Sequence, residues 1–263
     1  MPELPEVEVL RRTLTPHLAG AVVQSVRLHR SDICQSFNAA GNPVATTSAR
    51  LLKGSTILLI SRIGKQMGIQ TTDGRVLVVQ LGMSGQVLVT RGIEEVKQST
   101  HVHAVWTILA AGPGREKAAA REPTFLYFRD PRRFGGLCTY PSAEALVQFR
   151  WSMLGIDGLL ADGHTLARGV GKSARAIKAV LLDQSVIAGV GNIYADEALS
   201  AARIAPKRKA TSLAVAEWDR LGEAIVATLK GAIGLGGSTL RDYRNADGEE
   251  GTATAAHLSL IHI

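Results

Sequence analysis

The first eight residues, Met1-Pro2-Glu3-Leu4-Pro5-Glu6-Val7-Glu8, put an imino acid beside two closely spaced carboxylates at the very start of the chain. Removal of Met1, a step favoured by a small second residue, would leave Pro2 as a free secondary amine. An α-amino group has a pKa of about 7.7–8.0, so roughly a tenth or more is neutral near pH 7. A neutral secondary amine can attack an aldehyde-like carbon and give a charged iminium, which then serves as an electron sink. Such chemistry requires an unblocked nitrogen that a partner can reach. Glu3 is the adjacent proton donor or acceptor, and Glu6 follows one helical turn later. The same residues also fit a plain helix start, because proline is common in the first turn and acids favour helix N-termini. Both readings stand on these residues alone.

Other segments carry binding chemistry. Gly189-Val190-Gly191-Asn192 lies between two predicted helices, with Asn192 as N-cap of the second. Glycines let a partner approach the backbone, and a helix N-terminus offers N–H groups to a phosphate. A glycine-turn helical hairpin fits the segment equally well. Lys65 follows a strand in Arg62-Ile63-Gly64-Lys65, either as a solvated turn lysine or as a phosphate contact. Met83 in Gly82-Met83-Ser84-Gly85, and Arg132 and Phe134 in Asp130-Pro131-Arg132-Arg133-Phe134-Gly135, have glycine-rich or charged flanks that are unusual for core side chains. Gly236-Gly237-Ser238-Thr239-Leu240-Arg241-Asp242 reads as a flexible segment after a long helix, or as a helix C-cap and turn.

Five of the segments, taken along the chain as the start, Gly82–Gly85, Asp130–Gly135, Gly189–Ala195 (with Ile193-Tyr194-Ala195 after Asn192) and Gly236–Asp242, resemble in order and spacing the formamidopyrimidine-DNA glycosylase family, and the likeness runs from residue 2 to about 250. Leu4 places the chain nearer that branch than the endonuclease VIII branch. The resemblance implies a base-excision repair glycosylase and AP lyase. Its substrate would be double-stranded DNA containing damaged purines, such as 8-oxoguanine and formamidopyrimidines, or abasic sites. It implies Pro2 as nucleophile, Glu3 as proton carrier, Glu6 as holder of the terminus, and Lys65 as a phosphate contact near the reacting sugar, with Arg62 assisting. It implies that Met83 fills the gap left by the extruded base, Phe134 wedges the opposite strand, and Arg132 reads the orphan cytosine. Extrusion costs a few kcal/mol of stacking and pairing, and apolar wedges offset it. Lys178 and Asn192 would grip the DNA backbone. The 236–241 loop, with Arg241, would close over the base, and Ser84 and the loop near Ser238 would influence lesion choice.

Two departures qualify the likeness. The family commonly ends in a four-cysteine zinc finger, whereas this sequence reaches Ile263 without those cysteines, so neither zinc nor any other cofactor is expected. Gln80 stands where the family typically has histidine. The rival reading is a lesion-binding protein that kept the fold and lost turnover with the finger.

Composition bounds these readings. At 263 residues and 46% hydrophobic content, with a mean hydropathy of +0.10, the chain can build two ordinary cores. A net charge of +7 and a pI near 9.7 favour a polyanionic partner. No apolar run reaches membrane-spanning length and no leader pattern opens the chain, so the expectation is a cytoplasmic, nucleoid-associated monomer without membrane contact. The two cysteines, Cys34 and Cys138, read as reduced core thiols.

The elements that must position these residues change character midway. A helix is expected over 6–15, with Val7, Leu10 and Leu14 on one face and Pro16 ending it. Strand-like runs follow at 21–28, 55–62, 75–81, 85–90, 102–109 and 124–128, with loops at 38–48 and 111–123. Many short strands without intervening helices predict a two-layer β-sandwich. Helices are expected at 142–149, 173–182, 193–202 and 212–233. The fold class is therefore α+β. An N-terminal domain over 1–141 carries the catalytic terminus, residues 142–171 are a glycine-rich linker with a first helix, and 172–250 form a helix–two-turn–helix domain. A tail over 251–263 completes the layout.

Overall fold

A computed structural model describes residues 2–110, 122–238 and 243–253. The opening helix, α1 (Leu4–Leu18), is built from apolar residues three and four apart. Val7, Leu10, Leu14 and Leu18 enter one hydrophobic core, while Leu4 and Val9 enter another. This one helix is therefore shared by both halves of the molecule. It runs through Pro16 instead of ending there. Pro16 stands in the last turn, where one lost hydrogen bond is tolerated, and the fully buried Leu18 rewards continuation.

The next strands are β1 (Val22–Leu28), β2 (Cys34–Phe37), β3 (Pro43–Val44), β4 (Ile57–Ile63), β5 (Gln66–Thr71), β6 (Val76–Gln80) and β7 (Gln86–Thr90). A short helix, α2 (Ile93–Gln98), precedes β8 (Val102–Leu109), β9 (Thr124–Arg129) and β10 (Gly136–Tyr140). They form two layers, a sheet ordered β1-β8-β9-β7 and a sheet ordered β3-β2-β10-β6-β5-β4. The predicted sandwich is thus observed. Sequence reading misses β2, β5 and β10, which lack clean alternation, and reads the 38–48 segment as an open loop although β3 pairs there with β2. Cys34 and Cys138 are buried in neighbouring strands, and burial pushes the Cys34 thiol up to about 11.

The second half contains α3 (Ala143–Phe149), β11 (Ile156–Asp157), α4 (Gly163–Val170), α5 (Ile177–Leu181), β12 (Ile187–Ala188), α6 (Asn192–Ala201) and α7 (Val215–Gly234). The 150–171 stretch is not a loose linker. Asp162 caps α4 by accepting from the Thr165 N–H (2.8 Å). A Cβ on Gly163 would lie 2.5 Å from the Asp219 backbone of α7. That glycine therefore serves close helix packing rather than flexibility. Only 177–181 of the predicted 173–182 helix is helical, because residues 173–178 hydrogen-bond alongside 206–211. Residues 245–247, assigned by sequence to the helical domain, pack on the sandwich: Ala246 is in its core, and Val89 donates to the Ala246 carbonyl (3.0 Å). Met1, the 111–121 part of the second predicted loop, Thr239–Asp242 including Arg241, and residues 254–263 lie outside the described residues.

Candidate active site and nucleic-acid interface

Three remote segments meet at the chain start. The first is residues 2–6. The second is the tip of the β4–β5 hairpin, Gly64-Lys65, set by the Ile63–Gln66 pairing. The third is the turn between β12 and α6. Glu3 is buried, and its carboxylate accepts from the N–H groups of Gly191 (2.6 Å) and Ile193 (3.0 Å). Glu3 thereby satisfies free N–H groups at the start of α6. The sequence assigns this role to Asn192. Instead Gly191 is the N-cap residue and Asn192 is the first residue of the helix, with its side chain exposed. A Cβ on Gly191 would lie 2.4 Å from the Glu3 carboxyl carbon and 2.7 Å from Lys65 Nζ. Glycine here is what allows the carboxyl and the ammonium to converge.

Burial raises the Glu3 carboxyl to about 7, against the opposing pull of the Lys65 ammonium and the two backbone N–H groups, with Glu6 adding to the rise. Burial likewise lowers Lys65, which the negative charges of Glu3 and Glu6 partly offset. An acid that titrates near neutrality can both give and take a proton.

Glu6 is buried too. One of its oxygens accepts from the Glu3 N–H (2.7 Å), and the other from the Tyr194 hydroxyl (2.6 Å) and the Ser238 N–H (2.7 Å). The Tyr243 hydroxyl donates to the Glu6 carbonyl (3.0 Å). Burial raises both tyrosine hydroxyls, and the Glu6 charge raises them further. Glu6 thus ties the terminus to α6 and to the 236–238 loop. Ser238 is buried at this junction.

Pro2 is buried in a chain that still carries Met1 on its nitrogen. An amide nitrogen has neither the basicity nor the open face that a nucleophile needs, so loss of Met1 is the chemical condition for reactivity at this position.

A second group lies on loops of the sandwich. Met83 is 41% exposed and Phe134 63% exposed, and Arg132 is exposed as well. Their loops are locked together. Gly82 has a positive φ of 59°, and a Cβ there would lie 2.3 Å from the Phe134 carbonyl carbon. The fully buried Asp130 accepts from Ser84 Oγ and from the N–H groups of Arg132 (3.3 Å) and Gly135 (2.7 Å). Ser84 is accordingly a buried brace between the two loops. Gln80 lines a cavity of about 420 Å³ with Arg132, Arg133 and Arg150.

Lys178, on α5, pairs with Asp196 of α6 (2.8 Å), one turn beyond Asn192. Residues that sequence reasoning missed are Asp130, Tyr194, Tyr243 and Asp157. Asp157 accepts from Arg62 Nη1 (2.7 Å) and from the Gly64 N–H (2.8 Å), fixing the hairpin that carries Lys65. Arg62 also donates to Glu8 (3.1 Å), and against the cost of burial Arg11, Arg12 and Arg62 hold Glu8 down at about 2. Arg62 is consumed by these pairs and is not aimed at a ligand. Asp130 and Tyr194 stand inside recognisable motifs, whereas Asp157 gives no signal in the sequence.

Both cysteines are buried in sandwich strands, and among the described residues no cluster of metal-binding side chains occurs.

The sequence pattern of the formamidopyrimidine-DNA glycosylase N-terminal domain matches residues 1–137, and that of the family's H2TH domain matches 154–244. The chain belongs to the formamidopyrimidine-DNA glycosylase family. It is 36% identical to the formamidopyrimidine-DNA glycosylase of Mesorhizobium japonicum, covering 95% of this chain and 86% of that protein. It is 38% identical to the Geobacillus kaustophilus enzyme, covering 95% and 85%. Among solved structures, the Fpg protein of Thermus thermophilus superposes with a TM-score of 0.78 at 35% identity, covering 97% of this chain and 86% of that one. The Lactococcus lactis Fpg in complex with abasic-site DNA gives 0.79 at 28% identity, covering 97% and 86%. No described helix of this family member is long and apolar enough to cross a membrane.

Proposed function

We propose that this protein excises oxidised purines from duplex DNA and then nicks the strand at the exposed sugar. The observation that carries the reading is the meeting of Glu3, Lys65 and Gly191 beside Pro2, in a chain of this family. Once Met1 is removed, the Pro2 nitrogen attacks the sugar C1′ and the glycosidic bond breaks, releasing the base. Opening of the C1′–O4′ bond gives the iminium, and Glu3 delivers a proton to O4′. Loss of a C2′ proton then expels the 3′ phosphate, and loss of a C4′ proton expels the 5′ phosphate, the iminium taking up the electron pair each time. The amine itself is the electron sink, so no cofactor enters these steps. Lys65 neutralises a phosphate beside the sugar. Met83 fills the space left by the extruded base, Phe134 wedges the opposite strand, Arg132 pairs with the orphan base, and Lys178 and Asn192 hold the backbone. Arg241, which follows α7 in the sequence, is read as a further DNA contact.

Incubation with an 8-oxoguanine duplex and borohydride tests this. A covalent adduct with strand cleavage, lost in Pro2→Gly, is the expected result. Tight lesion binding without adduct would leave the non-catalytic binder instead, and mass spectrometry showing Met1 retained would identify the cause.

A further inference from the structure

The helical domain carries more positive charge than its ion pairs consume. Residues 168–182 contain Arg168, Lys172, Arg175 and Lys178 and no acid, and 203–209 contain Arg203, Lys207, Arg208 and Lys209 and no acid. Three of these cations have partners from elsewhere: Arg175 with Asp183 (2.8 Å), Lys178 with Asp196 (2.8 Å) and Arg208 with Glu217 (2.5 Å). Lys172, Lys207 and Lys209 are exposed and make no ion pair among the described residues.

The backbone brings these lysines together. Lys178 donates its N–H to the Pro206 carbonyl (3.2 Å), immediately before Lys207. Lys209 bridges to Ala176, and Thr211 donates to the Ser173 carbonyl (3.1 Å), next to Lys172. The three lysines therefore border the segment that leads to Lys178 and add to its charge. Clustered like charges in excess of their acidic partners raise the local potential and repel one another, and a polyanion relieves that repulsion.

We propose that Lys172, Lys207 and Lys209 form a second phosphate-binding edge, which extends the grip on duplex DNA past Lys178 and Asn192. This rests on the DNA-repair reading above. The edge touches no base, so it holds damaged and undamaged duplex alike and lengthens the footprint on the helical-domain side. Each phosphate it neutralises adds about 0.9 to the slope of log affinity against log salt.

The test is fluorescence anisotropy with a short undamaged duplex across a salt series. The triple variant K172A/K207A/K209A is expected to bind more weakly, with a slope shallower by about 0.9 for each phosphate no longer neutralised. The triple arginine variant is expected to keep affinity and slope, and the triple glutamate variant to bind weakest. Wild-type affinity and slope in the alanine variant, with borohydride trapping intact in the wild type, would overturn the edge and leave the repair function standing. Failure of the wild type to bind duplex at any salt would overturn both.

Discussion

The residues around Glu3 and those around Met83 face water in opposite ways. Glu3 and Glu6 are buried, and the groups that bind their carboxylates come from other parts of the same chain. Met83, Arg132 and Phe134 stand exposed on loops whose bases are rigid. The first group is complete before DNA arrives, and its burial is what moves a carboxyl to the pH where proton transfer is easy. The second group gains its apolar neighbours only against a partner. The raised proton affinity of Glu3 is thus a property of the fold, whereas the wedging role proposed for Met83 and Phe134 would be a property of the complex.

The strongest way to break that comparison is Gly191→Ala. Its methyl group would displace the Glu3 carboxyl and the Lys65 ammonium together. We expect base release and borohydride trapping to fall by about 10²-fold or more, as misplacement by an ångström can do, with the far-ultraviolet circular dichroism retained. Wild-type trapping would show that the convergence is incidental.

Glu3→Gln sharpens the proton argument. The reaction needs Pro2 neutral, favoured above about pH 7.7–8.0, and Glu3 protonated, favoured below about 7. The lyase rate of the wild type should therefore form a bell peaking between these values. The variant should lose about 10²–10⁴-fold at the peak and keep no alkaline limb from this group. Stability carries the same signature. The folded state holds a proton on Glu3 more tightly than the unfolded state does, so this group's contribution falls as pH rises from 4.5 to about 7. Urea melts across that window should show the decline in the wild type and not in the variant.

Glu6→Gln should act mainly on stability and the loop. An amide in place of one carboxylate oxygen turns an acceptor towards a donor, whichever way it is flipped, at a cost of about 1–3 kcal/mol. The expected readouts are a lower melting temperature and faster amide exchange at Ser238. An unchanged exchange rate there would mean that the carboxylate does not hold the loop.

Met83→Ala and Phe134→Ala should have the smallest effect on the free protein, within about 0.5 kcal/mol, since neither supports a core. Their effect should emerge on lesion-containing duplex and largely vanish on a single-stranded abasic substrate, where no stack has to be filled. A stability loss above about 1 kcal/mol would place them in the fold rather than at the interface.

Much of the fold is legible in the sequence because burial follows local periodicity. The stripe Val7, Leu10, Leu14 and the β-branched, apolar run over 102–109 announce a helix and a strand, and both occur. Legibility fails where packing overrides local preference. Pro16 reads as the stop of α1, yet Leu18 carries the helix through. The 150–171 glycines read as a linker, yet Gly163 lets α4 approach α7. In the site, the exposure of Met83, Arg132 and Phe134 can be read from their flanks. The N-cap of α6 cannot, since its acceptor is a carboxylate 188 residues away.

The sequence alone determined which side chains are present, the order of their motifs, the faces that must be buried and the excess of positive charge. Only the tertiary structure decided that burial raises the Glu3 carboxyl to about 7, that Asp157 and Asp130 brace the loops bearing Lys65 and Phe134, and that Pro2 is buried. Proton affinity and accessibility depend on which charges and dipoles surround a group and how much water reaches it. Those surroundings come from segments that meet only when the chain is folded.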